Sequence, residues 1–404
     1  MFDLFVIGVA DNMLSKANKA TLALCSHVFA TQRLQNIISD LPIEMHNISP
    51  VTETVATIKD LLNSGNVAVL ASGDPLFYGI GKKFLLEFPA KNIHFYPGLS
   101  SVQRACALFK TNWDDATILS LHGRNNQHIP GLILPHAKCI LLTDATNNPT
   151  EICKNILDYL LLIKATNRAS DITVMVAENI GLTDQRLFSG SLTDASRETF
   201  SPLNILLIQT PYADQTNYPA SFGLTEEEVV HSRGLITKSE VRAATIHQLR
   251  LPQTGVLWDV GAGSGSISIE AARSHPELTI FAIEHKQEEL ANIKANIRKF
   301  GCYNIIPVFG KAPDCLAPLP APDRIFIGGS SGTLPALTEI ASRLLPVNGR
   351  IVINGVIEKT ITEAPKLLAG FNFITTSTTI HVTRTDSSMQ TVPFNPITIT
   401  TGSR

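Results

Sequence analysis

At 404 residues the chain exceeds one ordinary domain, so two are expected, and a hydrophobic content of 44% is ample for two cores. Its 33 Lys and Arg against 35 Asp and Glu lack the basic excess of a dedicated nucleic-acid binder. No apolar run reaches membrane-spanning length and no segment has a disordered composition, so a cytoplasmic protein without nucleic-acid or membrane partners is expected.

The first ten residues are apolar but carry Asp3 and no basic lead, which reads as a first strand and not a signal peptide. Strands are expected at 4–9, 67–71, 93–96, 137–142, 173–178 and 204–209, with helical periodicity at 55–64 and 151–161 between them. That alternation predicts α/β architecture with mostly parallel sheet over residues 1–209. Residues 210–224 are polar, proline-containing and aperiodic, the signature of a linker. A second α/β set over 225–404 has strands at 256–260, 279–283, 305–309, 324–327 and 350–354. Leu290, Ile293 and Ile297 share one face of the helix between its second and third strands. Two late strands, 378–383 and 397–401, have the β-branched content of an antiparallel edge and offer a surface for a homo-oligomer. The six cysteines form no CxxC pair and the eleven histidines no HExxH spacing, so neither a metal site nor a disulfide framework is expected.

The most informative string of the second half is Asp259-Val260-Gly261-Ala262-Gly263-Ser264-Gly265, where an apolar strand enters a glycine-rich turn and then a helix. Glu284 closes the next strand 19 residues after Gly265, placed to accept hydrogen bonds from a ribose diol. A dinucleotide fingerprint would carry a third-position glycine at 266, and Ser266 stands there. With Asp259 before the turn, the motif resembles that of class I S-adenosylmethionine-dependent methyltransferases on a Rossmann-like sheet. Thr237-Lys238-Ser239 reads as a capped helix start, with Thr237 or Ser239 as N-cap, and also as a place where Thr237 meets the cofactor carboxylate. Gly310-Lys311-Ala312 has Lys311 where an acid often binds adenine, which leaves recognition to backbone groups around Ala312. Gly328-Gly329-Ser330 ends the fourth strand, a loop suited to border a large planar substrate.

Three strings of the first half also lie at strand ends: Gly73-Asp74-Pro75-Leu76-Phe77, Pro97-Gly98-Leu99-Ser100-Ser101 and Leu121-His122-Gly123-Arg124. With Leu142-Thr143-Asp144, Glu178-Asn179-Ile180-Gly181 and Leu203-Asn204, they resemble the tetrapyrrole methylase family over almost all of residues 1–209. The resemblance implies a two-lobed class III methyltransferase fold that binds S-adenosylmethionine between its lobes through Gly73, Asp74, Phe77, Ser100 and Ser101. The first-strand loop departs from the family's Gly-x-Gly-Pro-Gly type: Gly8-Val9-Ala10-Asp11-Asn12 keeps only the first glycine. Residues 225–404 resemble the decarboxylating C15-methyltransferase domains of cobalamin biosynthesis.

Together the resemblances imply a tetrapyrrole of the corrin pathway, methylated at C5 and C15, with loss of carbon dioxide from a ring acetate. Methyl transfer from a sulfonium to an electron-rich carbon needs alignment more than a dedicated base. Lys238, Arg124 and His231 are the catalytic candidates, with Arg124 also a substrate ligand beside Gly328, Gly329 and Ser330. Arg104, Arg233 and Arg384 are further cations for the substrate's carboxylates, unless they are solvated surface charges. His122 and His231 are either acids or structural histidines. Two alternatives stand beside this reading: a class I methyltransferase acting on RNA or protein, and a C15-methylating decarboxylase whose first half is a silent platform. Gly328-Gly329-Ser330, where an Asn-Pro-Pro-Tyr motif would stand, counts against base methylation.

Overall fold

The computed structural model describes residues 2–10, 13–123, 128–211, 222–232 and 236–404; Asp11, Asn12, Arg124, Arg233 and most of the expected linker lie outside them. The first half holds two five-stranded sheets. One contains β1 (Leu4–Val9), β2 (His27–Ala30), β3 (Glu44–Asn47), β4 (Val67–Ser72) and β5 (Ile93–Tyr96), ordered β3-β2-β4-β1-β5. All its pairings are parallel. Every residue of β1 is buried, because helices cover both faces: Val6 packs with Ile58 and Phe84, Ile7 with Leu22 and Leu34.

The other sheet contains β6 (Thr117–Ser120), β7 (Lys138–Leu142), β8 (Thr173–Glu178), β9 (Arg186–Ser191) and β10 (Asn204–Gln209), ordered β6-β7-β10-β8-β9. Only β6 and β7 pair in parallel; β10 runs antiparallel to β7 and β8, and β8 to β9. The expectation of mostly parallel sheet therefore holds for the first lobe and fails for the second. The expected helices span Val51–Leu61 and Pro149–Leu162.

In the second half β11 (Gly255–Val260), β12 (Leu278–Glu284), β13 (Ile305–Phe309), β14 (Arg324–Ile327) and β15 (Arg350–Gly355) are parallel. The late strands are β16 (Ile374–Ile380) and β19 (Ile397–Ser403), with the hairpin β17 (Thr383–Thr385) and β18 (Thr391–Pro393) between them in sequence. The seven-stranded order is β13-β12-β11-β14-β15-β19-β16, with β19 antiparallel to both neighbours. The edge at β16 is not the apolar strip expected for assembly. Thr376, Ser377 and Thr379 pair their hydroxyls with Thr401, Thr400 and Thr398.

The opposite edge, β13, is covered by the first half. Ile280 N–H bonds to Asn304 C=O, so the neighbouring Ile305 carbonyl points away from β12, and Pro307 further along has no N–H to offer on that edge. The buried Tyr159 hydroxyl, on the helix Pro149–Leu162, donates to Ile305 C=O at 2.7 Å. His128 Nε2 donates to Tyr303 C=O at 2.8 Å while its ring packs edge-on against Tyr159. Burial pushes the His128 pKa down to about 4, consistent with a neutral, Nε2-protonated ring. Arg168 donates to the Tyr303 hydroxyl, and Arg298 to Ile163 C=O. One apolar cluster runs from Ile156 and Ile163 to Phe300 and Ile305, so the halves share a core. Tyr159→Phe strands the Ile305 carbonyl inside this interface. It should lower unfolding stability by about 1–3 kcal/mol in denaturant melts; an unchanged midpoint would show that the contact is not formed in solution.

Candidate active sites

The first site is a cavity of about 590 Å³ between the two lobes, within the usual size of a small-molecule pocket. Gly73, Asp74, Phe77, Ser100 and Ser101 all line it, as the resemblance implied, and so do Thr143 and Asn204 from the second lobe. Their placement follows from local rules. Ser100 is the N-cap of the helix Ser101–Phe109, accepting from Gln103 N–H while the Gln103 side chain accepts from Ser100 N–H. Asp74 Oδ1 accepts from Leu76 N–H at 2.9 Å, which fixes the turn after β4. Gly8 shows why one glycine of its loop persists: a Cβ there would lie 2.2 Å from Gly73 O and 2.3 Å from Gly98 N. Val9, next in the chain, lines the cavity.

Sequence reasoning missed Arg33 and Tyr78 here. Arg33, three residues beyond β2, donates to Ser72 Oγ at 2.5 Å at the cavity wall. Tyr78 reaches from the first lobe to the second, its hydroxyl donating to Ile118 C=O at 3.3 Å. Tyr78 directly follows the Gly73–Phe77 string, whereas Arg33 carries no motif and only the fold brings it to the cavity. His122 and Arg104 also line it, whereas Arg124 lies outside the described residues.

The second site is built at the carboxyl ends of β11, β12, β13 and β14. Gly261, Gly263 and Gly265 have φ of +69°, +56° and +77°, values that disfavour any Cβ. Glu284, buried at the end of β12, accepts from Gly263 N–H through Oε2 at 2.9 Å and from His285 and Lys286 N–H through Oε1 at 2.9 Å each. A carboxylate has about four acceptor positions, so the expected ribose ligand already uses three of them on backbone amides, one of them in the glycine loop. Asn296, wholly buried, donates to Ser264 C=O at 2.9 Å and to Val230 C=O at 2.8 Å, drawing the 230–232 segment beside the loop. A narrow recess joins Gly261, Ala312, Gly329 and Ser330, with Lys311 and His285 on its wall. Its enclosed volume is only about 10 Å³. Gly263 does not line that recess, but a Cβ there would meet nothing within 4 Å, so the loop is open on that side.

Asp259 does not face that opening. It is wholly buried, and its Oδ2 accepts from the Ser268 hydroxyl at 2.5 Å, which anchors the helix Ser266–Ser274. Its Oδ1 has no partner, and burial together with the nearby Glu284 charge raises its pKa to about 7.

The helix after Thr237 spans Ser239–Leu249, and its N-cap is Lys238, not Thr237 or Ser239. No side chain of the cap serves the first turn; instead Glu226 accepts from Ser239 N–H at 2.7 Å. Thr237 is held through its carbonyl, which accepts from Arg242 at 2.9 Å. Arg242 is buried against Glu270, and Glu270 in turn accepts from Leu224 N–H at 2.7 Å. The start of the second half is thereby tied behind the glycine loop. Lys238 lies 5.1 Å from the centre of the Phe394 ring. His231 Nδ1 is buried without a hydrogen-bond partner. The Arg384 guanidinium is engaged within the protein: it donates to both carboxylate oxygens of Glu226 and of Glu240 and to Ser239 Oγ. The six cysteines are free, five buried and Cys315 half-buried.

The Asp259 carboxyl yields a pH signature. Between the unfolded value near 3.8 and the folded value near 7, the native state holds a proton that the unfolded chain releases. Stability from this group is therefore full below that window and lost as pH rises through it. Relative to Asp259→Asn, wild type should lose on the order of a few kcal/mol between pH 4 and pH 8 in denaturant melts. A difference that stays flat across that range would mean an ordinary, ionised carboxylate.

The profile of the family described as Tetrapyrrole (Corrin/Porphyrin) Methylases matches residues 7–196, and that of the Precorrin methyltransferase domain matches residues 228–384. A precorrin-6Y C(5,15)-methyltransferase [decarboxylating] of a Sinorhizobium species is 32% identical over 359 residues, spanning 87% of this chain and 84% of the relative. The protein of the same name from Mycobacterium tuberculosis is 28% identical, spanning 87% of each. A cobalt-precorrin-6B C(15)-methyltransferase (decarboxylating) of Salmonella typhimurium is 38% identical over 134 residues, 33% of this chain and 69% of the relative. With an alignment that runs through both halves and both sites, the chain belongs to the family of the decarboxylating precorrin-6Y C(5,15)-methyltransferases.

Proposed function

We propose that this chain is a bifunctional S-adenosylmethionine-dependent C-methyltransferase that methylates C5 and C15 of precorrin-6Y, or of its cobalt form, and decarboxylates a ring acetate. The carrying observation is the presence of two separate strand-end sites in one chain that aligns, half for half, with a relative named for two methylated positions and a decarboxylation. The 590 Å³ cavity serves C5, and the Gly261–Gly265 loop serves C15 and the decarboxylation.

The cofactor, when bound, supplies an electrophilic sulfonium methyl at each site. In the first half, Gly73, Asp74, Ser100 and Ser101 hold it against the first lobe, and Phe77 and Leu99 give the macrocycle an apolar wall. In the second half, the Gly261–Gly265 loop would hold the adenosine, with Glu284 serving the ribose and Ala312 the adenine. The Gly328-Gly329-Ser330 loop borders the macrocycle, while His231 stands on the segment beside the glycine loop and Lys238 caps the helix Ser239–Leu249. Alignment and exclusion of water then do most of the catalytic work.

Mass spectrometry of the product from precorrin-6Y and from its cobalt counterpart tests the assignment. Wild type should add two methyls and release one carbon dioxide. Gly263→Ala puts a methyl into the open side, at a backbone cost of about 1–2 kcal/mol. It should slow C15 methylation and carbon dioxide release about tenfold or more, a barrier increase of roughly 1.4 kcal/mol or above, while sparing C5. Asp74→Ala should do the reverse. Two methyls added at the normal rate by Asp74→Ala would instead make the first half a silent platform.

A further inference from the structure

Away from both cavities, the first sheet carries a group of side chains that neither methylation requires. His27 opens β2 and Glu44 opens β3, and the parallel register sets them directly opposite one another. His46, two residues along β3, falls on the same face as Glu44 by the strand's period of two. His27 Nδ1 lies 3.1 Å from His46 Nε2 and 3.4 Å from Glu44 Oε2, and His46 Nε2 lies 3.5 Å from Glu44 Oε1. The two imidazole nitrogens thus face each other with a different oxygen of the Glu44 carboxylate beside each, and one ligand atom from each of the three residues lies within 4.8 Å of the other two.

Such a group lies close to the spacing of three corners of a tetrahedral metal site. Bonds of about 2.0–2.2 Å to zinc put adjacent ligand atoms roughly 3.3–3.6 Å apart. Small side-chain rotations would bring one atom of each residue onto a single ion with the strand register unchanged. The rings are held in place as well. His46 stacks on Phe29 with ring centres 4.7 Å apart and planes 20° apart. Gln35 donates through Nε2 to His46 C=O at 2.9 Å and to Ala30 C=O at 3.0 Å, tying β3 to the end of β2. The imidazoles are half-buried, with side-chain exposures of 17% and 25%, and Glu44 at 65% leaves the site open to solvent for entry and for a water as fourth ligand. Imidazole with carboxylate suits zinc and its late first-row neighbours, not calcium or magnesium.

The strand that would gain is the weakest in its sheet. β3 is a four-residue edge with no fully buried residue, so apolar burial does little to dock it. We propose that His27, Glu44 and His46 bind one divalent transition-metal ion of the zinc class, which clips β3 to β2. The site lies at the amino ends of the strands, whereas the cavity lies at their carboxyl ends beyond Val9 and Ser72. The ion is therefore structural and takes no part in methyl transfer.

Zinc alone is the probe. Full-length protein stripped with a chelator and desalted should bind one zinc per chain by calorimetry and elemental analysis, and its thermal midpoint should rise with added zinc. His46→Gln and Glu44→Gln should each weaken that binding about tenfold or more and abolish the midpoint shift, with circular dichroism unchanged. Glu44 is exposed enough that its variant folds even if a histidine variant does not. Cobalt(II) in place of zinc should give the visible absorption of a tetrahedral ion, lost in the same variants. Absence of stoichiometric zinc, or equal binding by parent and variants, would overturn the proposal and leave a hydrogen-bonded histidine pair.

Discussion

Both sites rest on backbone packed directly against backbone at the carboxyl ends of parallel strands. A Cβ at Gly8 would sit 2.2 Å from Gly73 O, and one at Gly261 would sit 2.4 Å from Gly329 O. No side chain survives such distances, so the loops can touch only if glycine occupies those points. The contact brings the end of β1 onto the turn after β4 in the first half, and the turn after β11 onto the turn after β14 in the second. Each pair then presents its backbone edge to whatever lies across the strand ends, which is where open α/β sheets bind ligands.

What keeps those turns in place is a set of acids that serve the protein's own amides. Glu284 holds Gly263, Glu270 holds Leu224, Glu226 holds Ser239, and Asp144 accepts from Gly123, Thr146 and Asn147. Backbone hydrogen bonds hold the Asp144 carboxyl below its usual range, so it stays charged. A loop already hydrogen-bonded in its binding geometry loses less conformational freedom when a ligand arrives. The same economy joins the two halves: Tyr159 and His128 satisfy outward carbonyls of an edge strand that would otherwise be open to pairing.

Much of this was legible in the sequence where a strong period met a strict local demand. The buried strands of both parallel sheets read as apolar runs, and the glycines of the 261–265 loop stand where positive φ and close approach demand them. Short edge strands were invisible. Glu44–Asn47 and Arg186–Ser191 bury little, so no apolar pattern marks them, and the second of these is one of the antiparallel strands of the second lobe. Arg384 illustrates another limit. Its neighbourhood in sequence suggested a substrate cation, but a segment 158 positions away supplies Glu226, and the guanidinium is consumed there. His27, Glu44 and His46 escaped notice for the same reason, since strand register and not spacing brings them together.

The central claim is that one chain carries two independent cofactor sites, one in each half. Calorimetric titration of the full-length protein with S-adenosylhomocysteine tests it directly. The account predicts two equivalents per chain for the parent and one for Gly263→Ala, with the remaining site unchanged in affinity. A single equivalent in the parent, or two undiminished equivalents in that variant, would contradict it.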